Sequence, residues 1–291
     1  FFLYLFWLLK DVRTFMSIRG IFIIWMLATT LIGCSQLEFG LEKPIESFSA
    51  KEIYDKAESQ LNQRDYNTAA ENFGEIERLY PYSEWARKGL LMQAFSFHKN
   101  LDYPNSRSSA QRYIDFYPAA DDAAYAQYLL ALSYYDQIDE IGRDQDIASK
   151  ALDELRILIE RYPESKYSKA AKLKFDLTFD HLATKEMEVG RYYLEKGHYT
   201  AAVNRFRLVV EDFKSTNQTP EALHRLIEAY LSLGLASEAQ SAGAVLKLNY
   251  KTTYWYAESE KLLSGEGLEA IPFGTNWLST IYRQMIKGEW L

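Results

Sequence analysis

One helix-length pattern recurs five times in this chain, and it restricts the fold more than any other feature. Counting from Tyr66, the small residue Ala69 stands three positions on, Phe73 seven, Ile76 ten and Tyr80 fourteen. The same offsets from Tyr103 give Ser106, Ala110, Tyr113 and Tyr117, and from Ala148 they give Ala151, Leu155, Leu158 and Tyr162. From Tyr199 they give Ala202, Phe206, Val209 and Phe213, and from Ala236 they give Ala239, Gly243, Leu246 and Tyr250. On a helix with 3.6 residues per turn these offsets form one stripe, with a small residue where neighbours approach and large residues where they interlock. Pro81, Pro118 and Pro163 follow three of the terminal tyrosines and stop the helix there. Such a helix cannot bury its stripe alone, so the copies must stack.

Each copy is preceded by room for another helix. The periodicity predicts first helices over 49–62, 84–100, 121–138, 168–196 and 220–233, with a break at Asn62-Gln63-Arg64-Asp65 before the first second helix. Ser49 and Glu52 fit a capping box, and Thr219-Pro220 fits an N-cap with proline at the first helical position. The stretch 168–196 lacks proline and has Gly190 as its single glycine, which predicts one long helix bridging two halves of the array. The pattern resembles the tetratricopeptide repeat, although its terminal aromatics lie 37 to 51 residues apart rather than at the standard ~34. The fold expected is all-α: an α-solenoid of about five tetratricopeptide-like helix pairs over 49–250, plus a C-terminal helical extension. That extension, 251–291, holds Tyr254, Trp255, Tyr256, Trp277, Tyr282 and Trp290. Helices are expected near 252–264 and 275–287, either capping the last pair or offering aromatic anchors to a partner.

The N-terminus carries an address. After Met16-Ser17-Ile18-Arg19, the apolar run from Ile21 to Ala28 is too short to span a bilayer and leads into Leu31-Ile32-Gly33-Cys34. Met16 is read as the natural start, with residues 1–15 upstream of it. Leu31 to Cys34 resembles the lipobox of bacterial lipoproteins, which implies cleavage before Cys34, a diacylglycerol on its sulfur and an N-acyl chain. Residues 1–33 are thus the upstream segment and signal peptide, and 34–48 a lipidated tether. Ser35 after the cysteine implies sorting to the outer membrane.

Chemistry is harder to find. A formal net charge of −7 disfavours a general nucleic-acid binder. A lone cysteine makes no intramolecular disulfide and no zinc site by itself. His98, His181, His198 and His224 lack partners at ligand spacing and read as surface or half-buried residues, and no phosphate loop, nucleophile elbow or zinc-protease helix occurs. No catalytic residue, metal or cofactor is expected beyond the lipid on Cys34.

Further marks are Glu52-Ile53-Tyr54, Arg78-Leu79-Tyr80-Pro81, Arg143-Asp144-Gln145, the run from Arg161 to Tyr167, and Val203-Asn204-Arg205-Phe206. In this order after a lipobox, they resemble the BamD/ComL family of outer-membrane β-barrel assembly lipoproteins. The resemblance covers Cys34 to about Tyr250. It implies a periplasm-facing subunit that receives unfolded β-barrel proteins on its first repeats and docks on BamA, beside other assembly lipoproteins, through its later ones. By position it puts Tyr80 with Asn67 and Ser83 on the substrate side and Arg205 on the BamA side. Tyr80 serves equally well as a packing residue and Arg205 as a solvated one. Tyr82-Ser83-Glu84 departs from the Gly-Pro that the family places after its first Tyr-Pro. A periplasmic repeat adaptor for cell-wall or envelope-constriction machinery is the alternative, because a solenoid does not by itself encode a function.

Overall fold

The computed structural model describes residues 43–138 and 145–287. Cys34, Arg143, Asp144 and Trp290 lie outside the described residues. The chain divides into residues 1–49 and 50–291. In the first unit one turn of 3₁₀-helix, Ile45–Ser47, follows Pro44.

The second unit is all-helical among the described residues. Its helices are α1 (Ala50–Asn62), α2 (Tyr66–Leu79), α3 (Glu84–Lys99), α4 (Tyr103–Phe116), α5 (Ala123–Tyr135), α6 (Asp146–Arg161), α7 (Lys166–Glu195), α8 (Tyr199–Asp212), α9 (Thr219–Ser232) and α10 (Ala236–Asn249). The extension adds α11 (Tyr254–Gly265) and α12 (Trp277–Lys287). Consecutive helices pack on one another from α1 to α10, which is the expected solenoid of five tetratricopeptide-like pairs. First helices also touch the next first helix, whereas second helices make no comparable contact with each other. The first helices therefore line the more closely packed side.

The repeated stripe is the core. Ala69, Phe73, Ile76, Ala110, Tyr113, Ala151, Leu155, Leu158, Ala202, Phe206 and Val209 are all buried. Tyr80, Tyr117, Tyr162, Phe213 and Tyr250 do something more specific than filling space. Each is the C-cap of its helix, at φ between −116° and −135°, and its N–H donates to the carbonyl four residues back.

The turn inside four of the pairs also repeats. Arg64, Leu101, Gly197 and Gly234 each stand two residues before the second helix with φ between 61° and 75°. The next residue, Asp65, Asp102, His198 or Leu235, donates its N–H to the carbonyl five residues back, as in a Schellman turn. Asp65 and Asp102 then accept the N–H of Thr68 and Asn105 as N-caps.

Thr219 departs from expectation. It is the first residue of α9 rather than its cap, and its hydroxyl donates to the carbonyls of Phe213 and Lys214. The buried hydroxyl finds its acceptors in the turn that follows α8. His224 also departs: it is buried rather than half-exposed, with Nδ1 2.8 Å from the Ser259 hydroxyl.

The extension shares the core of pairs four and five. Tyr256, Leu263, Leu278 and Ile281 are buried with Phe206, Leu226 and Leu246. Gly243 explains the seat: a Cβ there would lie 2.6 Å from Leu263 Cδ1 and 3.2 Å from Ala270 Cβ. Ser241, two residues earlier, accepts the N–H of Phe273 at 3.0 Å. The fifth copy is thus small where the extension lies across it, which is the position of a cap.

Candidate functional site

The residues carried over from the family resemblance fall into three places. Tyr80 ends α2, half-buried, and its carbonyl accepts the N–H of Ser83 at 3.0 Å. Ser83 caps α3, its hydroxyl accepting the Ala86 N–H at 3.1 Å. Its oxygen thus satisfies one of the orphan donors at a helix start. Asn67 is exposed at the other end of α2, donating to Glu71 at 2.9 Å. Thirteen residues of helix rise about 20 Å, so Tyr80 and Ser83 share one turn and Asn67 does not join them.

Between Tyr80 and Ser83 the turn presents Tyr82 with its whole side chain in water. Its position after Pro81 was the available signal, since a residue at a turn tip has no neighbour three or four positions away to cover it. Beside this turn the Tyr54 ring of α1 packs against Phe73 at 5.3 Å and Trp85 of α3 at 5.0 Å. Lys88 stands 4.5 Å over the Trp85 ring. Burial pushes the Tyr54 hydroxyl above its ordinary pKa. This Tyr54–Trp85 pair bridges the first helices of pairs one and two. The periodicity concealed it, because on the first helices the same spacing marks packed and presented aromatics alike.

Further along, the Tyr117-Pro118 and Tyr162-Pro163 turns flank a cleft of about 660 Å³ that Tyr167 also lines. Tyr167 stacks on both Tyr125 and Tyr128, at 5.0 and 5.3 Å. Burial, then the neighbouring tyrosines, push the Tyr125 hydroxyl up to about 12.

Arg205 lies on α8 with its side chain 44% exposed, and Nη1 donates to Glu186 Oε2 of α7 at 2.8 Å. The hydrogen bond and charge of Glu186 raise the guanidinium pKa further. Arg205 is thus a half-exposed cation that already has a carboxylate. A larger network follows. Arg191 of α7 donates from Nε and Nη2 to the two carboxylate oxygens of Glu221 at 2.8 and 2.9 Å. Arg225 reaches Glu221 at 3.4 Å and Glu228 at 2.8 Å, and the Trp255 ring of α11 lies over Arg225 at 5.3 Å and His224 at 5.2 Å. Burial pushes the Glu221 carboxyl up, but Arg191 and Arg225 outweigh it and hold it below the usual range. Glu228 is held below that range too, where His224 and Arg225 outweigh burial.

His98 Nε2 lies 3.1 Å from Asp136, off hydrogen-bond alignment, and burial lowers its pKa. No three metal-ligating side chains come together among the described residues, and no described helix is long and apolar enough to cross a membrane. The arrangement offers surfaces for recognition.

Comparison with known proteins gives the family. Residues 46–246 match the model of the YfiO family, described as outer membrane lipoprotein. The chain is 41% identical over 227 residues to the outer membrane protein assembly factor BamD of Caulobacter vibrioides, covering 78% of this chain and 73% of that one. It is 38% identical over 211 residues to BamD of Rickettsia prowazekii, covering 72% and 84%. A BamD from Neisseria meningitidis is 27% identical over 215 residues, covering 70% and 80%. With about two thirds of its length inside the family model and this identity to its relatives, the chain belongs to the YfiO family of outer membrane lipoproteins.

Proposed function

We propose that the chain is a non-catalytic subunit of outer-membrane protein assembly. It is held on the periplasmic side of the outer membrane by lipids on Cys34, receives unfolded β-barrel proteins, and docks on BamA for their insertion. The observation that carries the reading is the 41% identity to an assembly factor over 227 residues. The geometry supports a division of labour. The Tyr80–Ser83 turn, with Tyr82 exposed and the Tyr54–Trp85 pair beside it, offers aromatic anchors for an extended client segment. Ordering such a segment offsets much of the contact energy, so client affinity is modest. Arg205 offers BamA a charge that is oriented before docking by Glu186. Docking through it exchanges or shares that pairing, which favours steering and on-rate over raw affinity.

The test is affinity purification of the tagged, full-length chain from outer membranes, with Cys34→Ser as the anchor control. BamA and its companion lipoproteins are expected with the wild type. The Cys34→Ser chain is expected in the soluble fraction with its repeats folded, since acylation needs the thiol sulfur. Absence of every β-barrel assembly protein from the wild-type eluate would sink the reading.

A further inference from the structure

The first half of α7 differs in charge from the rest of this acidic chain. Lys166, Lys169, Lys172 and Lys174 fall within nine residues, in a chain of net charge −7. Arg112, Arg191, Arg205, Arg207, Arg225 and Lys261 each face a carboxylate. Lys166, Lys169 and Lys172 are exposed and make no ion pair among the described residues. Lys174 instead sits 3.9 Å over the Tyr135 ring.

Apolar surface lies on the same face. Leu173 and Leu177, one helical turn apart, are 63% and 53% exposed. At 100° per residue, Lys166, Lys169, Leu173 and Leu177 fall within about 80° of the helix circumference. Leu177 then borders a cavity of about 310 Å³, lined with it by Tyr135, Ile138, Thr178 and His181. That volume is at the low end for ligand sites. Asp176 and Asp180 fall on or beside the same face by that count, but two turns or more beyond Lys166, so the face is basic at its N-terminal end and acidic toward Asp180.

We propose that this face is a docking site for an acidic segment of a partner protein carrying large apolar side chains. The exposed lysines receive its carboxylates. One apolar side chain covers Leu173 and Leu177, and another enters the cavity beside Tyr135. Charge complementarity selects the partner: the site is a basic island on an acidic protein, so another copy of this chain or a basic segment is disfavoured. The site is separate from the Tyr80 turn and from Arg205, and it stands whether or not those residues have the roles given above.

The test titrates the full chain, in detergent, into a labelled peptide of about twelve residues with two leucines four apart among glutamates. A control peptide has lysines in place of the glutamates. Saturable binding of the acidic peptide alone is expected, weakening as salt rises from about 0.05 to 0.5 M. Affinity should fall at least roughly tenfold in the Lys166→Glu/Lys169→Glu double variant and in Leu177→Ser. Leu173→Ser, at a more exposed position, serves if Leu177→Ser melts early. Absence of saturable binding, or equal binding by the charge-reversed variant, would overturn the proposal. So would binding that emerges only after residues 139–144 are replaced by a Gly-Ser linker, because the chain itself would then occupy the site.

Discussion

Gly190 of α7 lies against the Phe206 ring of α8: a Cβ at Gly190 would sit 2.5 Å from Phe206 Cε1 and 2.8 Å from Cδ1. Two opposing effects meet there. Helix propensity favours alanine over glycine by about 1 kcal/mol. Forcing a methyl into a filled core costs about 1–3 kcal/mol, and Phe206 is fully buried. Gly190→Ala is therefore expected to destabilise the chain by up to about 2 kcal/mol, measured by urea denaturation, where propensity alone predicts a gain. A rise in stability would mean that Phe206 yields freely.

Leu101 predicts the opposite sign. It holds φ 61° in the turn where pairs four and five have Gly197 and Gly234, and its side chain is 70% exposed. The left-handed conformation costs a non-glycine residue about 1–2 kcal/mol, and little burial is lost on truncation. Leu101→Gly should stabilise the chain by a few tenths to about 1 kcal/mol, because the glycine's extra unfolded-state freedom offsets part of the relief. Thermal melting checks it.

The Arg191–Glu221–Arg225–Glu228 network predicts an acid limb. Both carboxyls are held below their ordinary value of 4.5, so their contribution is fully present above about that pH and is lost as pH falls through the depressed values. Glu154 has the opposite sign: burial raises its pKa, partly countered by the Gln127 hydrogen bond, so protonating it in acid favours the fold. The Glu221→Gln/Glu228→Gln double variant should therefore melt lower than wild type at pH 7, with the gap narrowing below pH ~4.5. A constant gap down to pH ~3 would contradict the linkage.

Arg205 and Glu186 give a paired test of docking. Arg205→Glu sets two carboxylates against each other. As Arg205 is half-exposed, the pair's own contribution to stability is at most about 1 kcal/mol. On the proposed docking through Arg205, BamA binding should fall through a slower, salt-sensitive on-rate. Glu186→Gln leaves the cation in place and frees it, so BamA binding should hold or strengthen. Equal loss in both variants would mean that the pair matters as a brace between α7 and α8 rather than as a contact.

Much of the fold was legible because the second helices carry the same stripe at fixed offsets: the residues three, seven and ten positions on are buried in every copy, and the terminal aromatics are half-buried caps. The long α7 was legible from the absence of proline between Lys166 and Glu195. Other features depend on particular neighbours. Leu101 and Arg64 occupy a conformation that glycine usually marks, so their turns carry no compositional sign. Thr219 looks like a cap but finds acceptors in the preceding turn. Asn67 stands at the start of the helix that Tyr80 caps, so about 20 Å of helix separates the two, a distance the family resemblance does not display. The Arg191–Glu221 pair spans thirty residues, and no local pattern signals it.

The central claim is that this chain assembles β-barrel proteins into the outer membrane, and depletion in its own cells tests it most directly. The measurement is the amount of folded, heat-modifiable porin in the outer membrane as the chain is depleted, alongside cell morphology. The account predicts that folded porins fall before cell separation is affected, and that wild-type chain restores them. Normal porin levels together with a cell-separation defect would contradict it and identify the chain as an adaptor of the envelope-constriction machinery.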